Sequence, residues 1–376
     1  MIGRAAIMTS DNLEAYDLGP NHPLRPERLK IAFALMKSYG LMPSVSLLPS
    51  RIAEPAELFL FHTKEYVEKV KEYSKRGYGL LDMGDTPAFK GCYEATSWVV
   101  GSSLAAVEAV MNGTADHAFN FSGGLHHAHP DRASGFCIFN DPAVCIAFLK
   151  KKYSLKRIAY IDLDAHHGDG VMYGFYSDPS VLDIDLHEDG HYLFPGTGFA
   201  DETGEGDAKG LKINVPLPPK TGDALYLEAF ERIVPPSIMR YKPEIILLQS
   251  GADSHRNDPL THLSITVRSY GEAASKIHEL AHRVCGGKVV VCGGGGYNLA
   301  NAARCWTTVM ATFTQSKIPE VIPNYWREYY RSVLGREAPQ FLTDPEEKTS
   351  DYVRREVAGT LDQLEKSTCI SRSSPG

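Results

Sequence analysis

A chain of 376 residues with 43% hydrophobic and 23% charged side chains has the composition of an ordinary globular protein, long enough for a large buried core. That balance excludes the disordered, collagen-like and membrane-embedded classes. The net charge of −7, from 39 basic and 46 acidic residues without a long Lys/Arg run, argues against nucleic-acid binding and leaves room for a basic peptide partner.

At the N-terminus, Ala5-Ala6-Ile7-Met8 is broken at once by Thr9, Ser10 and Asp11, so it does not read as a signal peptide. No apolar run approaches the ~18 residues of a membrane helix. Seven scattered cysteines (Cys92, Cys137, Cys145, Cys285, Cys292, Cys305 and Cys369) form no CxxC pair and read as reduced thiols. A cytoplasmic protein without membrane contact is expected.

Helical spacing appears first over 94–111, then over 142–152, 224–239 and 267–284. Short β-branched runs over 117–121, 157–162, 181–186, 244–249 and 288–292 read as buried strands. Strands alternating with helices predict a three-layer α-β-α fold around a single, mostly parallel sheet. No repeat of 20–50 residues recurs. The chain therefore reads as one domain over 1–362 with a flexible C-terminal tail over 363–376.

Eight of the 14 histidines fall between positions 117 and 191, where predicted strands end. In an open α/β sheet that edge is where loops from distant segments meet a ligand. Along Tyr160-Ile-Asp-Leu-Asp-Ala-His-His-Gly-Asp-Gly170, residues two apart on an extended chain would put Asp162, Asp164 and His166 on one face. Two carboxylates and an imidazole converging there need a cation, because unpaired buried anions are unfavourable. Read alone, the segment is better taken as an Asp- and Gly-rich surface turn, and it is the neighbouring clusters that reverse that preference.

The strand ending at Gln249 leads into Ser250-Gly-Ala-Asp-Ser254, which offers Asp253 as a third ligand or, read alone, as a helix N-cap. An Asp, His, Asp set leaves a coordination position open, as catalytic zinc sites do, and an N/O donor set also suits Fe²⁺ or Co²⁺. Two carboxylates formally neutralise a divalent ion, so a protein base is needed as well. His126 and His127, after the Gly-Gly turn of Phe121-Ser-Gly-Gly-Leu-His-His-Ala-His-Pro130, supply candidates, with Asp162 and Asp169 available to orient them. The final strand runs into Cys292-Gly-Gly-Gly-Gly-Tyr297, where four glycines permit close backbone approach and aim Tyr297 inward as an oxyanion donor. A phosphate loop is the alternative, but no Lys-Ser/Thr follows.

From Asn21-His-Pro-Leu-Arg-Pro-Glu-Arg28 to Ala303-Arg-Cys-Trp306 these motifs resemble the arginase–deacetylase superfamily, and within it the histone-deacetylase-like proteins that include acetoin-utilisation deacetylases. The resemblance implies an arginase/deacetylase-like fold and zinc-dependent hydrolysis of acetyl-lysine in a protein or peptide substrate. Asp164, His166 and Asp253 would bind the zinc, His127 would be the main base and His126 its electrostatic support. Asp162 would pair with His126, Asp169 with His127, and Tyr297 would polarise the amide carbonyl. Gly135 and Phe136, in Ser134-Gly-Phe-Cys137, and Phe194 resemble the walls of an acyl-lysine tunnel. Asp85 matches a rim residue that grips substrate backbone amides, and Arg28 an arginine beside an internal acetate channel. Members specialised for polyamines place a glutamate at the gate where this chain has Leu260. A structural K⁺ or other monovalent ion is also implied, although Asp185-Leu-His187 replaces the usual Ser-Leu-His beside it. A ureohydrolase of the arginase type and a catalytically silent scaffold are the rival readings. Nothing in the sequence sets the oligomeric state.

Overall fold

The computed structural model describes residues 3–345 and 347–367. Its centre is one sheet of eight strands, all parallel: β1 (Ala5–Thr9), β2 (Val45–Pro49), β3 (His117–Asn120), β4 (Ile158–Asp162), β5 (Val181–Glu188), β6 (Lys212–Leu217), β7 (Ile245–Gln249) and β8 (Val289–Cys292). The order across the sheet is β2-β1-β3-β8-β7-β4-β5-β6. The five predicted strands are present within one or two residues of their expected ends. Three more were passed over: β1, β2 and β6.

Because successive side chains point to opposite faces, each central strand feeds two cores. Ala159 and Ile161 pack in one, Ile158 and Tyr160 in the other, and Phe119 and Ala118 divide in the same way. Helices cover both faces, as a wholly parallel sheet requires. The helices predicted over 94–111, 142–152, 224–239 and 267–284 form as Cys92–Met111, Asp141–Tyr153, Asp223–Tyr241 and Val267–Val284. Asn140 and Thr266 cap two of them through side-chain oxygens that accept amides of the first turn.

Helix Asp351–Ser367 lies over β6 and helix Asp223–Tyr241. The expected tail therefore begins later than 363, since 363–367 continue this helix, and the rest of it lies outside the described residues. Six cysteines are free and buried, while Cys369 is outside the described residues. Among the described residues no helix is long and apolar enough to cross a membrane.

Candidate active site

The loops that leave the C-terminal ends of β3, β4, β7 and β8 meet at one point. After β4 the chain does not stay extended, as the spacing argument assumed. The Asp162 carboxylate accepts the amide of Asp164 (2.9 Å), and the Asp164 carboxylate accepts the amide of His166 (3.0 Å). These consecutive side-chain turns fold the segment back on itself. Asp162 is thereby set aside from the ligand cluster, while Asp164 and His166 converge on Asp253.

Nδ1 of His166 lies 2.9 Å from Asp253 Oδ2 and 3.2 Å from Asp164 Oδ1, and one ligand atom from each of the three lies within 4.8 Å of the others. The remaining oxygens accept backbone amides, Asp253 from Ala165 (3.0 Å) and Asp164 from Gly295 (2.7 Å). A Cβ at Gly295 would fall 2.0 Å from Asp253, and one at Gly251 2.1 Å from Asp164, so glycine is what lets the backbone close around the carboxylates. Burial and the adjacent Asp164 push Asp253 up to about 7. Burial also opposes ionisation of Asp164, but His126 and His166 outweigh it and hold that group well below the usual range. Two buried carboxylates share one imidazole, a set that a divalent cation would neutralise. The residues fit a metal ion.

Beside this triad, the two adjacent histidines form an asymmetric pair. His126 Nδ1 donates to Asp162 (2.8 Å), His127 Nδ1 donates to Asp169 (2.7 Å), and the two Nε2 atoms face each other at 3.1 Å. Only one Nε2 can carry the shared proton. Burial opposes the charged form of His126, but Asp162 and Asp164 overcome it and raise its pKa to about 10. Burial and the His126 charge depress His127 to about 4. The network therefore assigns the proton to His126 and leaves His127 Nε2 as a free acceptor. Asp169 also bonds His129 (3.1 Å), and although burial opposes its ionisation, His127 and His129 hold its pKa far down.

Tyr297 stands opposite, its ring edge-on to His166 (6.4 Å) and to Phe136 (5.8 Å). Burial, with Asp253 and Asp164 nearby, raises its phenol well above 10, so it keeps its proton. Phe136 holds a φ of 69°, fixed by Thr86 Oγ1 on its amide (3.0 Å) and by the Tyr16 hydroxyl on its carbonyl (2.6 Å). Phe194, 44% exposed, packs edge-on against His127 at 5.1 Å. Between them a Cβ on Gly135 would lie 2.5 Å from the His127 ring and 2.8 Å from Phe194. Asp85, Gly135 and Phe194 line one cavity of about 510 Å³. Burial and Asp82 raise the Asp85 carboxyl to about 6. Arg28, buried beneath the floor, donates to the carbonyl of Gly294 (2.8 Å) and lies 5.3 Å over Trp306.

Two holders of the site were not read from the sequence. Asp141 accepts the amides of Gly124 (2.9 Å) and Leu125 (2.8 Å), and Asn140 Nδ2 donates to the carbonyls of His126 (2.8 Å) and Ala128 (2.9 Å). The Asn-Asp-Pro start of a helix was their only signal. Asp258, two residues before Leu260 and so the residue able to supply a charge at the gate, turns inward, but its oxygens accept the amides of Leu260 (3.0 Å), Tyr297 (2.8 Å) and Asn298 (3.3 Å). Leu260 itself is partly buried on that loop. Asp185 likewise has both oxygens taken, by His187 Nδ1 (2.7 Å) and the Gly168 amide (2.7 Å).

Comparison with known proteins places this arrangement. The histone deacetylase domain model matches residues 22–313. The chain is 39% identical over 345 residues to the acetoin utilization protein AcuC of Bacillus subtilis (strain 168), covering 89% of each. It is 38% identical over 355 residues to that of Staphylococcus aureus (strain MSSA476), covering 91% of each. A crystal structure of an HDAC homolog from Aquifex aeolicus superimposes with a TM-score of 0.85 at 32% identity, covering 96% of this chain and 100% of the other.

Proposed function

Because the chain belongs to the histone deacetylase family, as a deacetylase hydrolase like the acetoin-utilisation proteins, we propose that it hydrolyses the acetamide of acetyl-lysine in proteins with one zinc ion held by Asp164, His166 and Asp253. The observation that carries this reading is the asymmetric histidine pair set beside that triad, whose His166 also faces Tyr297. When bound, a divalent ion supplies Lewis acidity towards the amide carbonyl and the attacking water. His127 Nε2 takes the proton of the water as its oxygen adds to the acetamide carbon, and Asp169 holds the ring in the tautomer that does so. His126, charged and paired with Asp162, stabilises the negative charge that develops. Tyr297 donates a hydrogen bond to the carbonyl oxygen. His127 then returns its proton to the departing lysine nitrogen as the C–N bond breaks, giving acetate and free lysine.

Gly135 leaves the space in which Phe136 and Phe194 flank the substrate, and burying the four lysine methylenes between them contributes ~3 kcal/mol at about 0.8 per CH₂. Asp85 at the rim accepts the peptide amides that flank the lysine. Leu260 offers a second ammonium nothing, and Asp258 is already occupied by backbone amides, so an acetylated polyamine is the poorer substrate. Arg28 braces the glycine run under the floor. We assign a single fold unit that carries through helix Asp351–Ser367, and the cell compartment to the cytoplasm, which suits six free thiols. A monovalent ion finds Asp185 already bound to His187 and Gly168, so that carboxylate fits it poorly.

The test compares kcat/KM for an acetyl-lysine peptide with N-acetylputrescine and N8-acetylspermidine, before and after chelation. Peptide preference that is lost on chelation and restored by Zn²⁺, Co²⁺ or Fe²⁺ is expected. A preference for either polyamine, or activity that survives chelation, would sink the assignment. The ureohydrolase reading needs two adjoining metals, and among the described residues the only other candidate metal cluster contains none of the active-site residues.

A further inference from the structure

The opposite end of the sheet carries a second set of imidazoles. His117 is the first residue of β3, whereas the catalytic loops leave the far ends of the same parallel strands. His278 and His282 are four residues apart on helix Val267–Val284, which places them one turn apart on one face. The three rings surround a common point. Their centroids are 4.9, 5.3 and 4.6 Å apart, and one nitrogen from each lies within 4.8 Å of the others. Phe313 packs against His117 and His278 from one side.

Two observations distinguish this cluster from ordinary packing. His117 is fully buried, and among the described residues neither of its ring nitrogens has a hydrogen-bond partner. Leaving such groups unpaired in the interior is unfavourable, and native folds rarely do so. Secondly, Nε2 of His278 and Nε2 of His282 face each other at 3.2 Å, a pair that shares one proton when no ion is bound. Two nitrogens bound to one tetrahedral ion through bonds of 2.0–2.1 Å stand about 3.3 Å apart. The cluster is largely covered, with only His282 partly exposed. A Cβ at Gly3 would lie 2.5 Å from His117 Nε2 and one at Gly287 2.7 Å from His282, so backbone passes close over both rings. The acidic neighbour Asp116 is engaged with Arg4.

We propose that His117, His278 and His282 bind a second divalent transition-metal ion, of the class that prefers imidazole (zinc, cobalt or nickel), which ties β3 to the helix on its flank. Three neutral nitrogens without a carboxylate suit these ions and not magnesium or calcium. The ion is structural, because the cluster lies across the sheet from the catalytic pair. Purified protein then contains two ions per chain while its catalytic centre holds one.

The test separates the two sites by substitution. Wild-type protein, Asp253→Ala and His282→Gln are each stripped with chelator and titrated with Co²⁺, following the visible spectrum, the bound metal per chain and Tm. Two ions are expected for the wild type and one for each variant, with none for the double variant. Co²⁺ should raise the Tm of Asp253→Ala and leave that of the double variant unchanged, while His282→Gln keeps wild-type turnover once its catalytic ion is restored. His278→Asn serves in place of His282→Gln if that variant does not fold. A wild type that holds a single ion, or a second ion retained by both histidine variants, would overturn the proposal.

Discussion

Replacing Tyr297 with phenylalanine removes one hydroxyl and little else. The ring keeps its edge contacts with His166 and Phe136, and Asp258 still holds the backbone amide. The raised phenol pKa means that the wild-type group is a proton donor throughout the working pH range. Loss of a single oxyanion donor in a preorganised site lowers kcat by about 10²–10³, equivalent to about 2.7–4 kcal/mol of transition-state stabilisation. A substitution that strands no buried partner should move stability by no more than about 0.5 kcal/mol. The assay is kcat and KM on an acetyl-lysine peptide, with metal content and Tm measured on the same preparations. A large fall in kcat with unchanged KM, metal content and Tm is expected. Near-parental kcat would refute the role of Tyr297, and loss of metal would show that the residue acts by holding the site together.

Further outcomes follow from the geometry. Gly135→Ala places a methyl against His127 and Phe194 at a φ of +53° and should lower kcat/KM at least about tenfold for every acyl-lysine substrate, because both ring positions shift; undiminished activity would show that the passage is wider than proposed. Asp85 has a folded-state pKa raised to about 6, so it loses its charge as pH falls through that value, and peptide KM should climb there. In Asp85→Asn, KM should already be high and stay flat across the same window, and a wild-type KM that ignores pH would remove Asp85 from substrate binding. Asp258→Ala leaves three backbone amides without their acceptor and should lower both kcat and Tm, with about 1–3 kcal/mol lost. Asp258→Asn should recover much of both, since an amide oxygen still accepts, and equal damage from the two variants would show that the charge itself matters.

The position of the candidate site was legible because it follows strand ends in short polar clusters, each with a residue type that has few other uses. Asp164, His166, Asp253, His126, His127 and Tyr297 all come together as the motifs implied, although by side-chain turns and not by an extended segment. What escaped notice works through the backbone. Asn140 and Asp141, and Asp258 in a role other than that of a gate charge, bind amides and carbonyls of other loops, and such a role leaves no mark on local spacing. The missed strands have similar causes. β1 was weighed only as a leader segment, β2 is a partly exposed edge, and β6 hides behind Lys212 and Pro216, although Lys212 is buried with its ammonium donating to the Val181 carbonyl (2.6 Å). The imidazoles at the base of the sheet escaped because His117 meets His278 and His282 only through the strand pairing that places β3 beside β8.

That pairing also governs how the enzyme can come into being. Among the described residues β8 is the last strand in sequence, and it sits between β3 and β7, near the middle of the sheet. Until it inserts, β3 and β7 each present an unpaired edge, the kind of surface that templates association with another chain. Closing the sheet joins β3 to β8, segments far apart in the sequence, a long loop closure that slows folding. The same insertion delivers the glycine run and Tyr297. A ribosome-bound or truncated chain that lacks β8 thus has the two histidines and the proposed ligands but neither a closed sheet nor Tyr297, and on the proposed mechanism activity appears only once β8 is in place.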